Sequence, residues 1–148
     1  MTDYMAEALE EGKKAFEEDE IPIGCVIVAN GEIIAREHNS KIKDNDSLCH
    51  AEMKALKKAQ KILGTKYLYE CEMFVTVEPC AMCAGAMVNA RLGKLNFALR
   101  EPKTGCCGSK FNLLNGCFNH TVDVKIGEKE DEAKKLMQDF FAQKRGKK

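Results

Sequence analysis

The sequence predicts an α/β fold in three layers, in which a mixed sheet of about five strands lies between two layers of helices. Two observations carry this prediction. Short β-branched runs alternate with helical patterns through the middle of the chain, and this order is typical of parallel strands joined by helices. Near the start, Asn30-Gly31 separates two strand-like runs, and such a dipeptide favours an antiparallel hairpin. A sheet that contains both kinds of pairing is mixed.

The first half of the chain is predicted to hold a helix, a hairpin and a second helix. Apolar residues recur at helical spacing in the first segment, and the next two segments are rich in β-branched residues. Gly64 ends the second helical pattern, as glycine commonly does. The predicted elements are a helix at 4–18, strands at 21–29 and 32–37, a polar loop at 39–47 and a helix at 49–63.

The second half continues with alternating strands and helices. Pro79 opens the next helix, because proline is tolerated in a first helical turn. The last segment is charged and amphipathic and predicts a terminal helix. The predicted elements are a strand at 73–77, a helix at about 80–91, a strand at 94–99, a long loop at 100–110, a strand at 122–126 and a helix at 128–145.

Length and composition indicate one globular domain spanning residues 1–148. The hydrophobic content is 45%, which suits a packed core and argues against disorder. No apolar run approaches the roughly 20 residues that cross a bilayer, so we expect no membrane partner. The start lacks the basic and apolar segments of a secretory signal, so we expect a cytoplasmic protein with reduced thiols.

Charge by itself does not indicate a nucleic-acid partner, since the formal net charge is zero. Its distribution is uneven, because residues 1–20 hold eight acidic residues and two lysines, whereas residues 144–148 are basic. The basic end has two interpretations that stay open. It is either a solvated helix end, where cations suit the helix dipole, or a surface that contacts nucleic acid.

Cys80 and Cys83 form a Cys-x-x-Cys motif at the start of a predicted helix. Their spacing places both sulfurs on one face of the first turn, where the positive end of the helix dipole favours thiolates. Thiolates are good zinc ligands. The motif alone also fits a redox pair, half of a structural zinc site, or core packing.

His50 and Glu52 supply a second half-site at the start of another predicted helix. Together with the two cysteines, His50 makes a set of one nitrogen and two sulfur ligands. Structural zinc sites usually close with four protein ligands, whereas catalytic sites keep one position for water. We therefore predict one catalytic Zn²⁺ per chain, with the Glu52 carboxylate moving protons. The competing interpretation is a structural zinc whose fourth ligand is Cys49.

The paired motifs His50-Ala51-Glu52 and Pro79-Cys80-Ala81-Met82-Cys83 match the known signature of zinc-dependent nucleobase deaminases. The chain resembles the cytidine-deaminase-like superfamily and, within it, the bacterial tRNA-specific adenosine deaminases. The likeness covers nearly the whole sequence. Beyond the metal motifs it is carried by Ile21-Pro22-Ile23-Gly24, Asn39, Lys103-Thr104-Gly105, Gly108-Ser109, Phe118-Asn119-His120 and Asp139-Phe140-Phe141.

The resemblance implies that the chain converts the wobble adenosine of a tRNA anticodon stem-loop to inosine and releases ammonia. It also implies a homodimer. Glu52 is then expected to take a proton from the attacking water and to deliver protons to the ring and to the leaving amine. The alternative function is deamination of a free base or nucleotide, such as cytosine, guanine or deoxycytidylate, by the same zinc chemistry.

The resemblance also implies substrate contacts outside the metal motifs. Phe140 and Phe141 point about 100° apart on a helix, so we expect Phe140 in the core and Phe141 on the substrate. Asn39 has a second interpretation, as a turn residue. The implied contacts are Asn39 with an edge of the base, the N–H of Ala51 with the ring, Glu101 and Lys103 with ribose and backbone, and Phe141 and Arg145 with flanking nucleotides.

The chain departs from the family pattern at three places. Glu101 stands where the family usually has an aspartate, which leaves its ribose contact in doubt. Cys49 lies next to a ligand position, and we interpret it as a small packing residue. Cys106 and Cys107 fill a loop where small residues are common, and we do not expect a second metal site there.

Overall fold

The computed structural model describes residues 2–146. It has the predicted three-layer α/β/α architecture, with a five-stranded sheet between two pairs of helices. In chain order the elements are α1 (Tyr4–Glu17), β1 (Gly24–Ala29), β2 (Glu32–His38), α2 (Ala51–Leu63), β3 (Cys71–Val77), α3 (Ala81–Asn89), β4 (Lys94–Leu99), β5 (Asp123–Ile126) and α4 (Glu130–Gly146). No helix in this part of the chain is both long enough and apolar enough to cross a membrane.

The sheet is mixed, and its strand order is β2-β1-β3-β4-β5. β1 pairs antiparallel with both β2 and β3, whereas β3, β4 and β5 run parallel. Asn30 and Gly31 both have positive φ angles, 52° and 76°, as a tight hairpin turn between β1 and β2 requires. The hairpin and the parallel middle of the sheet therefore confirm the predicted topology.

Each face of the sheet carries its own apolar core, because side chains alternate along a strand. In β1, Cys25 and Ile27 face one core, and Val26 and Val28 face the other. The first core is closed by α2 and α3, and the second by α1 and α4. Because each helix packs against one of these two cores, all four helices are amphipathic or apolar. The end of the sheet is flanked by both helical layers, so a site there can draw residues from both.

Several element boundaries differ from the prediction by one to three residues. β1 begins at Gly24 and not at residue 21, because Pro22 cannot donate to a ladder and Ile23 N–H bonds to Ile21 O across a tight turn. The helices predicted from residues 49 and 80 begin at Ala51 and Ala81. His50 and Cys80 are therefore the N-cap residues of α2 and α3, a detail on which the site depends.

Candidate active site

The site lies at the edge of the sheet where the parallel strands β3 and β4 end. In open α/β sheets, ligands bind in the crevice at this edge. Glu78 follows β3, and Glu101 lies two residues after β4. The antiparallel arrangement of β1 and β2 brings two further positions to the same edge, Ile23 before β1 and Asn39 after β2. All four residues line one cavity.

Three potential metal donors meet at this cavity: His50 and Cys80 line it, and Cys83 is completely buried next to them. The Nδ1 atom of His50 lies 3.6 Å from Sγ of Cys80 and 3.5 Å from Sγ of Cys83. Among residues 2–146, these three form the only cluster of metal-binding side chains, with all donor atoms within 4.8 Å of one another. Cys49 is not in it, so the fourth ligand that a structural zinc would need is not supplied at that position.

The backbone explains why these side chains are free to converge. Both N-cap residues have extended backbone, with φ −76° at His50 and φ −79° at Cys80. An N-cap side chain commonly bonds to the N–H groups of its own helix, but neither of these does so. The imidazole and the thiol thus turn away from their helices and towards each other. Cys83, in the first turn of α3, completes the set.

The donor set fits zinc in both chemistry and spacing. Nitrogen and sulfur are preferred zinc ligands, and in a tetrahedral site with ordinary bond lengths they lie about 3.6 Å apart. Hydrogen bonds from Cys83 and His50 lower the pKa of Cys80 to about 3. The pKa of Cys83 is raised, because it donates to that thiolate and is buried. Cys80 therefore favours the thiolate form without a metal. A bound dication would stabilise Cys83 as the second thiolate.

Glu52 is a buried carboxylate in the same cavity. It belongs to the first turn of α2, and only 3% of its surface is exposed. Burial raises its pKa to about 7. Within the described residues, its Oε1 is the one buried side-chain oxygen or nitrogen without a hydrogen-bond partner. A carboxylate in this condition suits proton transfer, because its pKa lies near neutrality and one oxygen is free for a ligand.

Asn39 is buried and oriented by the backbone of α2. Its Oδ1 accepts a 2.9 Å hydrogen bond from the N–H of Ala51. This bond leaves the amide NH₂ as the group directed to a ligand. The Ala51 N–H, for which the resemblance implies a contact with the ring, donates to Asn39 Oδ1 in this structure.

The cavity has a volume of about 210 Å³ and contains most of the predicted site residues. His50, Glu52, Cys80, Asn39, Glu101 and Phe141 all line it. Lys103 and Arg145 do not line it, and both are exposed. They lie on the loop and the helix that bound the cavity, so any contact they make is with a ligand that extends beyond it. Lys147 and Lys148, at the end of the basic run, lie outside the described residues.

Phe140 and Phe141 divide as predicted between the core and the surface. Phe140 is 4% exposed and packs edge-on against Phe16 of α1, whereas Phe141 is 40% exposed. Both also line a second cavity of about 320 Å³, which adjoins the first and shares Ile21, Asn39, Lys41 and Phe141 with it. Phe141 therefore stands at the boundary between the two.

Sequence reasoning assigned no site role to several cavity residues. They are Ile21, Ile23, Lys41, Val77, Glu78, Thr104 and Met137. Ile21, Ile23 and Thr104 belong to motifs quoted above, and Val77 and Glu78 directly precede the motif that begins at Pro79, so the motif positions could have suggested them. Lys41 and Met137 carry no local signal, because the 39–47 loop and α4 reach the cavity only through tertiary packing.

A three-layer α/β/α fold, an N,S,S donor set that could hold a metal ion and a buried carboxylate beside it are the features of a hydrolytic deaminase. The comparison with known proteins leads to the same class. The family model of the MafB19-like deaminases matches residues 1–145. The tRNA-specific adenosine deaminase of Bacillus subtilis is 47% identical over 146 residues, which cover 98% of this chain and 91% of that protein. The chain belongs to this family of tRNA-specific adenosine deaminases within the MafB19-like deaminases.

Solved structures with the same fold include deaminases of two kinds of substrate. A structure from a study of A-to-I editing by tRNA:A34 deaminases at the wobble position of transfer RNA has a TM-score of 0.86 and 36% identity, and the match covers 90% of this chain and 97% of that one. The guanine deaminase from Nitrosomonas europaea has a TM-score of 0.82 and 26% identity, with coverage of 94% and 83%.

Proposed function

We propose that this protein is a zinc-dependent hydrolase that deaminates the wobble adenosine of a tRNA anticodon loop to inosine. The observation that carries the proposal is the buried Glu52 carboxylate with a free oxygen, in one cavity with His50 and Cys80, whose donor atoms cluster with that of Cys83. The relatives named above supply the substrate class. Ammonia is the second product of the hydrolysis.

His50, Cys80 and Cys83 would hold the zinc ion. When bound, zinc supplies a Lewis acid that lowers the pKa of water and so provides a nucleophile at neutral pH. Glu52 takes one proton from the attacking water and gives it to the ring nitrogen next to carbon 6 of adenine. It then takes the second proton from the hydroxyl newly bonded to carbon 6 and gives it to the amino group, which leaves as ammonia. Its pKa of about 7 allows it to accept and return protons at the same pH.

Asn39 would orient the base for this reaction. Because Ala51 N–H holds its Oδ1, the NH₂ group is presented to an acceptor on the ring edge. Glu101 and Thr104 form the wall at the end of β4, where the ribose of the target nucleotide would lie. A base in an anticodon loop can be splayed into such a pocket without the cost of opening a duplex.

The direct test is inosine formation on a synthetic anticodon stem-loop with adenosine at the wobble position. We expect deamination of this RNA and none of free adenosine, cytidine, cytosine or guanine. A matched stem-loop with the adenosine moved one position is the control for site selection. Deamination of a free base but not of the stem-loop would overturn the tRNA assignment and keep the zinc chemistry.

Free-base deamination is the second candidate function, because the guanine deaminase of Nitrosomonas europaea shares the fold. One feature favours RNA over a free base. The catalytic cavity is open to the adjoining cavity along Ile21, Asn39, Lys41 and Phe141, so a nucleotide next to the target has an apolar place to bind.

Replacing Phe141 with alanine is expected to weaken binding of the stem-loop by about 5- to 160-fold, because stacking of a base on an aromatic side chain contributes about 1–3 kcal/mol. Phe118→Ala is the matched control, since Phe118 is also exposed but lines neither cavity. Fluorescence anisotropy with a labelled stem-loop measures both affinities. Equal affinities for the two variants would contradict a role of Phe141 in binding RNA.

Three further proposals concern the whole protein. We propose that residues 1–148 form a single domain, that the chain acts as a homodimer, and that it is cytoplasmic. Its eight free cysteines suit a reducing compartment. Sedimentation equilibrium tests the homodimer, and a monomer at micromolar concentration that is fully active would contradict it.

A further inference from the structure

Glu78 carries a buried carboxylate that the deamination chemistry does not use. The residue follows β3 directly and stands two positions before Cys80, and it is only 4% exposed. Its Oε1 accepts hydrogen bonds from the N–H of Glu101, at 3.0 Å, and from the hydroxyl of Ser109. Its Oε2 accepts from the N–H groups of Cys107 and Ser109, at 3.1 and 3.0 Å. One side chain therefore satisfies four donors.

All of these donors belong to the loop of residues 101–109, which follows β4 and contains no helix or strand. Glu101 and Thr104 of this loop line the catalytic cavity. A loop without a ladder of its own must find other partners for its N–H groups. Here the Glu78 carboxylate accepts hydrogen bonds from N–H groups at both ends of the loop. Between these two ends, Pro79 O accepts a hydrogen bond from Cys106 N–H at 2.9 Å.

Gly105 marks how closely the loop packs on this carboxylate. A Cβ atom at this position would overlap the carboxyl carbon of Glu78 and the carbonyl oxygen of Glu101. The N–H of Gly105 donates to that same carbonyl at 2.8 Å. The loop is thus wrapped around the carboxylate, and its shape depends on both the charge and the space at this point.

We propose that Glu78 is a positioning residue that holds the 101–109 loop as a wall of the catalytic cavity and thereby sets the affinity for the target nucleotide. It acts through Glu101 and Thr104 and does not touch the reacting atoms. The part of this proposal that concerns affinity rests on the proposed function, whereas the part that concerns the loop does not. The same substitution therefore has to be examined by two independent measurements.

The first measurement is the kinetics of Glu78→Gln on the anticodon stem-loop. An amide keeps the shape of the side chain, but its NH₂ group faces donors that need an acceptor. The loop therefore loses some of the hydrogen bonds that fix its position. We expect KM to rise about tenfold or more, while kcat changes by less than about threefold and the zinc content stays equal to wild type. An unchanged KM would overturn the proposal, as would loss of zinc, since either result would assign Glu78 a different role.

The second measurement is limited proteolysis with trypsin, which needs no substrate RNA. The loop contains Lys103, and Lys110 follows it directly. We expect Glu78→Gln to be cut at these two lysines faster than wild type, with the rest of the fragment pattern unchanged. Protection equal to wild type would overturn the proposal, and faster cutting throughout the chain would do so as well, because it would indicate general destabilisation.

Two other variants keep the test decisive. Glu72→Gln is the matched control, because Glu72 lies on β3, the strand that Glu78 follows, and accepts a hydrogen bond from Asn96 outside the cavity. This variant should behave as wild type in both measurements. Gly105→Ala leaves the carboxylate intact and displaces the loop by steric overlap, so it should reproduce the effects of Glu78→Gln.

If wild type does not deaminate the stem-loop, the proposed function fails, and proteolysis still decides whether Glu78 holds the loop.

Discussion

Replacing Glu52 with glutamine is expected to lower the rate of deamination by about 10²- to 10⁴-fold, which is the usual contribution of a general acid–base group. The amide has nearly the same volume but cannot take a proton from water or return it to the amine. The fold should survive, because glutamine has nearly the same volume and one of the two carboxylate oxygens, Oε1, has no hydrogen-bond partner among the described residues. Single-turnover formation of inosine on the stem-loop measures the rate.

Zinc content and thermal unfolding accompany this measurement, and both should match wild type. Glu11→Gln is a suitable control, because Glu11 is a buried carboxylate of α1 that pairs with Lys14 and His38 away from the cavity. That variant should retain full activity even where it loses stability. Turnover by the Glu52 variant at a rate close to wild type would rule out the proton-transfer role.

Replacing Cys83 with alanine should abolish both zinc binding and deamination. Cys83 is completely buried and supplies one of three donors, so its loss leaves two ligands for an ion that needs at least three from the protein. Zinc is measured by atomic absorption after dialysis, and activity on the stem-loop is measured in parallel. We expect zinc well below one ion per chain and no detectable inosine.

Cys25→Ala is the matched control for this experiment. Cys25 is also completely buried, but it lies in the core and is not part of the donor cluster. Its replacement should leave zinc and activity unchanged. Full zinc content in the Cys83 variant would refute the proposed donor set. Unfolding of that variant, combined with an active Glu52→Gln, would favour the alternative in which zinc only maintains the fold.

The local parts of the fold could be predicted from the sequence because their signals lie within a few residues. Strand alternation, the Asn30-Gly31 turn and the Cys-x-x-Cys spacing each describe contacts within one element or one turn. The metal donors could be predicted for a related reason. His50, Glu52, Cys80 and Cys83 occur in two short motifs whose combination is specific to one chemistry, even though neither motif alone identifies it.

The residue-level details near the site could not be predicted, because they depend on contacts between distant segments. The order β2-β1-β3-β4-β5 results from how the helices pack on each face, and periodicity specifies a face without specifying a neighbour. The helices predicted from residues 49 and 80 begin at Ala51 and Ala81, so His50 and Cys80 are N-cap residues and not the first residues of the helices, and this difference determines where each side chain points.

The sequence by itself determined the class of fold, the metal-binding motifs and the division of Phe140 from Phe141, since each follows from spacing along one segment. Only the tertiary structure decided that Asn39 is held by Ala51, that α4 brings Phe141 to the cavity, and that Glu78 binds the 101–109 loop. The physical reason is that each of these contacts joins segments that are distant in the sequence. The two buried polar groups take partners that the packing brings within hydrogen-bond distance, 12 and 29 residues away, and Phe141 reaches the cavity only because α4 packs beside it.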